Sequence, residues 1–511
     1  MSFSPFLASP VTNTRLRTPN CVTDVSGMCA ACTADCLGPC EIGLSALRGP
    51  EAILPFAADR NQFASEKRYP VDFSHFNING RVFGAVGLPQ DPVQACFANA
   101  DLASAFGAAR AVPVRAPFIL PAMAKLAWKE YFAGAALYGV PVVIGEDVIA
   151  KDPGLAVKNR RVIESPLLAE MVSCFRRFQR GRGDIVLQAN FDDEYHGVLE
   201  FAIARLGVRS VELKFGQAAK GIQGMGQVAK IEDAQRFKAL GYIIRPDPDD
   251  PAVAAAHAAG IGPLFEKIGK LPMWSPEDLV KRVGELRRLG AERVCFKTGP
   301  FAPRDIRQIL EIASEAGADL VTLDGAGGGT GSSPAKMMNE WGMPTVTLTV
   351  VVHRILEGFA KAGKPLPPVA MAGGFASEDH VFKGLALGAP HVRLIAIGRA
   401  AMAAASVGRQ VGEAIRNGKP PGETARFGAT VEEVFAGYRL LKAEYGDETA
   451  SIPTGAIGLY SYLDRVAVGL QQFMALNRKF ALRHIGREDI VPLTEIAART
   501  TGLPTYDQLL D

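Results

Sequence analysis

Between residues 117 and 398 the chain alternates short apolar runs with longer stretches in which apolar and charged residues recur at helical spacing. The runs are PFILPAM (117–123), PVVIGED (141–147), DIVLQAN (184–190), SVELKFG (210–216), RVCFKTG (293–299), LVTLDGA (320–326), PVAMAGG (368–374) and HVRLIAIG (391–398). Unbroken apolar runs of this length suit strands covered on both faces. Amphipathic segments such as SPEDLVKRVGELRRLG supply the crossovers between parallel neighbours. Eight such units predict an α/β fold, a TIM (β/α)8 barrel over 111–408, with an open doubly wound sheet as the competing arrangement. Residues 1–110 are read as an N-terminal region bearing a cysteine cluster, and 409–511 as a C-terminal helical extension. The long interval 217–292, which includes the polar RPDPDDP, follows the fourth run and is predicted to lie over the catalytic end of the barrel.

Composition narrows the function classes. With 511 residues, 48% of them hydrophobic, the chain can bury a large core. The formal charge of +3 is nearly balanced and the basic residues are scattered, which argues against a nucleic-acid partner. No segment reaches the roughly 18 apolar residues of a membrane span, and MSFSPFLASPVTNTRLRTPN lacks a basic start followed by a long apolar stretch. A cytoplasmic protein without a membrane partner is the expectation.

Candidate chemistry gathers at the ends of the predicted strands. Gly373 and Gly374 after the seventh run, and Gly398 with Arg399 after the eighth, form the pattern of a phosphate cup: thin backbone, two helix starts and a guanidinium. The glycine-rich TLDGAGGGTGSSP (322–334) lets a flat or anionic ligand come close to the backbone. Lys297, set in an apolar run, needs an anionic partner if it is desolvated. Lys214, Gln217, Lys220 and Gln227, in ELKFGQAAKGIQGMGQ, are read as a grip for a dicarboxylate, against the plainer reading of a solvated charged loop.

Cys29, Cys32, Cys36 and Cys40 have C-x2-C-x3-C-x3-C spacing, compact enough to wrap an iron-sulfur cubane. Zinc is the competing reading, and unligated thiols a third. Cys96, Cys174 and Cys295 are expected to be small core residues. His75, His196, His257, His353, His380, His391 and His484 lie far apart without metal-ligand spacing, so no histidine site is expected. FDDEYHG (191–197) reads as a solvated loop, with Asp192, Glu194 or His196 as a less favoured proton shuttle.

Strand four with its loop, LDGAGGGTGSSP, MAGGF and IGRAAM together resemble the FMN-binding domain of the glutamate synthase family in its free-standing, archaeal-type form, over about residues 115–405. The resemblance implies an FMN-dependent oxidoreductase acting on CH–NH2 donors. In such an enzyme an imine of ammonia and a 2-oxo acid such as 2-oxoglutarate is reduced. It places Ala122, Met123 and Gln188 beside the flavin and Lys297 against its ring, where reduced flavin carries negative charge. Asp324, Gly325, Gly328, Gly329, Gly373, Gly374, Phe375, Gly398 and Arg399 are placed around ribityl and phosphate. Lys214, Gln217, Lys220 and Gln227 then correspond to the positions that hold the oxo acid and the imine.

There are departures. The family places cysteines for a 3Fe-4S cluster after the eighth strand, whereas GRAAMAAASVGRQVGEAIRNG has none, and GIQGMGQ stands where the family has Pro-Gly-x-Gly-Gly. Neither an amidotransferase domain nor a G-x-G-x-x-G nucleotide segment is recognisable, so nitrogen and electrons are expected from elsewhere. The four N-terminal cysteines are therefore read as a 4Fe-4S relay fed by a ferredoxin or flavoprotein, in an oligomer with room for separate amidotransferase-like subunits. The alternatives are the FMN subunit of an N-methylglutamate synthase-like transferase and a non-catalytic electron-transfer subunit.

Overall fold

The computed structural model describes residues 46, 69–88, 91–123, 127–218, 225–262, 264–328 and 335–510. The four clustered cysteines, Lys220 and Gly329 lie outside the described residues. Each of the eight apolar runs forms a strand: β1 (Phe118–Met123), β2 (Val142–Ile144), β3 (Ile185–Ala189), β4 (Ser210–Lys214), β5 (Arg293–Thr298), β6 (Leu320–Asp324), β7 (Val369–Ala372) and β8 (Val392–Ala396). They pair in parallel and in chain order. β8 closes on β1 through the pairs Ile395 with Phe118 and Ala396 with Ile119. The barrel is closed and the open-sheet alternative is excluded.

Helices separate the strands because the local signals agree with the periodicity. α1 (Trp128–Tyr138), α2 (Pro166–Phe178), α3 (Val198–Leu206), α4 (Pro276–Leu289), α5 (Pro303–Ala316), α6 (Thr345–Lys361), α7 (Glu378–Gly388) and α8 (Arg399–Arg416) each follow a strand. α4 shows how the sequence sets its bounds. Ser275 accepts from the Asp278 amide, Asp278 returns the bond to the Ser275 amide, Pro276 opens the first turn and Gly290 ends it.

The described residues form two compact units. The larger contains Tyr69–Gln217, Pro272–Gly325 and Gly342–Asp511, and so holds the whole barrel. Inside it, Ile119, Val143, Val186, Cys295, Leu320, Ala370 and Leu394 form an apolar cluster with Phe106 and Val114. The last two come from a hairpin, Ser104–Phe106 against Val112–Val114, that precedes β1. The C-terminal α9 (Thr454–Leu476) packs on α1 and α8. That approach depends on glycine: a Cβ at Gly412 would lie 2.0 Å from Thr454 Oγ1. At Gly458 it would lie 2.9 Å from the Gly408 Cα.

The smaller unit includes Ala218–Leu271 and Ala326–Trp341. It carries a three-stranded antiparallel sheet in which Phe265–Ile268 is central, flanked by Met225–Val228 and Ile243–Arg245. The described part of the interval between the fourth and fifth barrel strands thus carries both helices and strands. Among the described residues, no helix is long and apolar enough to cross a membrane.

Cys295 is buried as expected, but Cys174 is half-buried and Cys96 is exposed. Cys96 lies just before a 3-10 turn, Phe97–Asn99, that buries none of its residues, so nothing there calls for a core position.

Candidate active site

Alternation along the strands sets the chemistry of the barrel mouth. A step of two residues leads from Val186 to Gln188 on β3, from Cys295 to Lys297 on β5 and from Leu320 to Thr322 on β6, so an apolar layer gives way to a polar one toward the strands' C-terminal ends. Register brings the polar layer together: Gln188 pairs with Glu212, and Lys297 pairs with both Lys214 and Thr322.

Gln188 Nε2 donates to Glu212 Oε1 at 2.5 Å, and Glu212, Gln188 and Lys297 are only 2%, 1% and 6% exposed. Burial pushes the Glu212 carboxyl up, against the opposing pull of Lys297, the Gln188 hydrogen bond and Lys214. The charge of Lys297 thus acts on Glu212. Beside them a crevice is lined by Ile119, Pro121, Val143, Glu212, Lys297, Thr322 and Ala396. Gln188 Oε1 and Thr322 Oγ1 are buried without a hydrogen-bond partner among the described residues. The gap thus brings apolar side chains against Glu212, Lys297 and Thr322, and Thr322 Oγ1 has unmet hydrogen-bonding capacity.

Lys214, at the end of β4, donates to Glu146 Oε1 and to Gln217 Oε1. Next to Glu146, Asp147 takes a left-handed backbone with φ 59°. Its amide donates to Asp193 Oδ2 at 3.0 Å, and its Oδ1 accepts from Asn190 Nδ2 at 3.2 Å. Burial pushes the Asp193 carboxyl well up, and the charge of Asp147 adds to that shift. The reading of FDDEYHG as a solvated loop does not hold. It contains a short helix, Phe191–Tyr195, with Asp192, Asp193 and His196 buried; Glu194 pairs with Arg282 at 2.7 Å, and His196 Nδ1 lies 3.1 Å from the Arg160 carbonyl. Ending the run with several acids suggested exposure, but the capping box of Asn190 and Asp193 turns the chain back into the protein.

At the far side of the mouth, Thr345 opens α6 and its Oγ1 donates to the Gly373 carbonyl at 2.6 Å. A Cβ at Gly373 would fall 2.4 Å from Thr345 Oγ1 and 2.5 Å from the Gly325 oxygen; one at Gly325 would fall 2.4 Å from the same hydroxyl. The loops after β6 and β7 are therefore joined around Thr345, a packing reason for glycine that the sequence pattern does not reveal. Gly373 and Gly374 have φ of 117° and 100°, and Gly398 leads directly into Arg399 at the start of α8. Burial lowers the Arg399 guanidinium, and the charge of Asp324 offsets part of that effect.

Of the residues singled out in the sequence, the larger unit holds Ala122, Met123, Gln188, Lys214, Gln217, Lys297, Asp324, Gly325, Gly373, Gly374, Phe375, Gly398 and Arg399, all at or just beyond strand C-terminal ends. The Phe375 ring packs 5.1 Å from that of Phe73, which leaves its backbone to face the loop. Gln227, on Met225–Val228, and Gly328 belong to the smaller unit. Sequence reasoning missed Glu146 and Glu212. Glu212 sits two residues before Lys214 on one strand, so period-two alternation places both on one face.

The fold and mouth define a closed parallel barrel with a polar, partly desolvated active-site layer. Residues 270–410 match the conserved region in glutamate synthase. The chain is 29% identical over 216 residues to an archaeal-type glutamate synthase [NADPH] of Dehalococcoides mccartyi, a match covering 40% of this chain and 39% of that protein. It is 36% identical over 218 residues to the archaeal-type glutamate synthase [NADPH] of Thermotoga neapolitana, covering 40% and 38%. A glutamate synthase large subunit-like protein of Rhizobium meliloti is 34% identical over 136 residues, covering 26% and 29%. The chain thus matches about two fifths or less of these relatives' own lengths, and over that part the resemblance to the glutamate synthase family is borne out. Among solved structures, the recombinant flavin-binding domain of baker's yeast flavocytochrome b2 aligns at 13% identity, covering 86% of this chain and 81% of that one, with a TM-score of 0.46.

Proposed function

We propose that this chain is an FMN-dependent oxidoreductase of the glutamate-synthase type, reducing the imine formed from ammonia and a 2-oxo acid such as 2-oxoglutarate. The observation that carries the reading is the buried polar layer at the strands' C-terminal ends, where Gln188 Oε1 and Thr322 Oγ1 lack a hydrogen-bond partner among the described residues. Unmet polar atoms near Lys297 suit a ligand with polar edge atoms, and Ile119, Pro121, Val143 and Ala396 supply apolar neighbours. The desolvated Arg399, preceded by Gly398, and the positive-φ pair Gly373 and Gly374 fit a phosphate end. In this reading Gln188, Thr322 and Lys297 hold the heterocycle, with Ala122 and Met123 beside it. Arg399 and the loops of Gly325, Gly373, Gly374 and Gly398 hold the phosphate, with Asp324 beside the ribityl chain.

FMN, when bound, supplies a two-electron reductant. Conversion of the imine to the amine takes up two electrons and two protons. Lys214 and Gln217 orient a carboxylate of the oxo acid, and Lys214 is shared between the substrate and Glu146. Glu212, whose carboxyl is pushed up by burial, is suited to hold a proton at the mouth. Cys29, Cys32, Cys36 and Cys40 would hold a 4Fe-4S cluster, which would supply one-electron transfer from a ferredoxin or flavoprotein donor, in an oligomer that receives ammonia from elsewhere.

The test is turnover with an artificial donor. Anaerobic protein supplied with reduced viologen, 2-oxoglutarate and 15N-ammonium should yield 15N-glutamate, and Lys214→Met should abolish it while flavin is retained. A protein that holds reduced FMN yet forms no amino acid from any 2-oxo acid offered would overturn the activity.

A further inference from the structure

Histidines that the sequence scatters are brought together at the other end of the barrel. His353 and Glu357 stand one turn apart on α6, and His391 immediately precedes β8. One ligand atom from each lies within 4.8 Å of the others. His391 Nε2 is 2.8 Å from Glu357 Oε1, and the His353 and His391 rings lie 5.7 Å apart. His353 Nδ1 is buried without a hydrogen-bond partner among the described residues. Because His391 enters the N-terminal end of β8, the cluster lies opposite the barrel mouth and plays no part in the site described above.

From this geometry we propose that His353, Glu357 and His391 form a binding site for a divalent transition metal of the zinc class. Tetrahedral zinc with ligand bonds of about 2.1 Å needs ligand atoms about 3.4 Å apart, so the site is reached from the present separations by side-chain shifts of about an ångström. The residue types choose the class of metal. A hard cation finds one carboxylate here, with Arg354, Lys361 and Arg487 nearby. A borderline metal finds two imidazoles as well. The Arg487 guanidinium is tied up by bonds to the carbonyls of Leu387 at 2.6 Å and Thr501 at 2.7 Å, although its charge still reaches His353. The backbone of Ala389 faces His353, the kind of outer contact that orients a ligating ring. Three protein ligands leave a fourth position for water. At this end of a barrel, the metal's role is to clasp the second half of α6 to the segment entering β8.

The experiment is a Co2+ titration of the full chain, read by visible absorption and by metal content after gel filtration. Wild-type protein should bind one more Co2+ per chain than His391→Gln or His353→Gln. The difference spectrum should show d–d bands without thiolate charge transfer, which removes any contribution from the N-terminal cysteines. Glu357→Ala, at a partly exposed side chain, preserves the fold and should weaken binding at least tenfold. Equal stoichiometry in wild type and all three variants, or a difference spectrum of thiolate character, would overturn the site and leave an ordinary His391–Glu357 ion pair.

Discussion

Replacing Lys297 by Met tests whether the polar layer of the barrel mouth is a charge-balanced unit. Lys297 and Glu212 are both nearly inaccessible to water, so removing the ammonium leaves a carboxylate that burial already disfavours. Lys297 acts on Glu212 through its charge rather than a direct bond; stripping a buried charged group of such support costs about 1–3 kcal/mol, whereas replacing both groups by neutral ones of similar shape is often close to neutral. With unfolding entropy of about 2.1 cal/mol/K per residue over roughly 300 cooperative residues, that loss lowers Tm by about 2–5 °C. The sign with pH follows from the raised carboxyl. Glu212 binds its proton more readily in the folded state, so the penalty is greatest at high pH and shrinks as pH falls toward the ordinary carboxylate range. Calorimetry of Lys297→Met, Glu212→Gln and the double variant at pH 8 and pH 5 reads this directly. The account predicts a deeper loss for Lys297→Met at pH 8 than at pH 5, and recovery of most of it in the double variant. Losses that simply add in the double variant would refute the charge-balance argument.

Three further outcomes follow. Gly373→Ala places a methyl within 2.4 Å of Thr345 Oγ1 on a backbone with φ 117°, and is expected to cost about 1–3 kcal/mol by chemical denaturation; Thr345→Ala should not restore it, because the Gly325 oxygen is still 2.5 Å away. Arg293 donates to Asp184 at 3.0 Å, to Ser210 at 2.7 Å and to the Arg110 carbonyl at 2.6 Å; Arg293→Met should lower stability by about 3–5 kcal/mol while the flavin content of the surviving folded protein stays unchanged. Asp193→Asn should raise Tm relative to wild type by more at high pH than at low pH, because burial makes the folded carboxyl hold its proton more readily than the unfolded one.

The barrel was legible because its eight strands are buried on both faces, and that burial writes itself as an unbroken apolar run. The placing of Gly373, Gly374, Gly398 and Arg399 at strand ends was legible for a related reason, since they follow those runs at once. Two kinds of information were hidden. Glu146 lies near the end of the second run and Glu212 interrupts the fourth, but whether an acid there faces water or a lysine depends on barrel closure, which no local window contains. His353 and His391 are separated by a crossover and a whole strand. Only the return of the chain to the N-terminal end of β8 brings them within reach of Glu357. The glycines mislead in a different way. Gly325 and Gly373 read as space for a ligand, whereas much of that space is taken by the Thr345 hydroxyl.

The central claim is most directly tested by the absorption spectrum of anaerobically purified protein, with the released cofactor identified by mass. The account predicts one FMN per chain, flavin bands that bleach on reduction, and loss of FMN when Arg399 is changed to Met. A colourless protein that takes up no added FMN would contradict it.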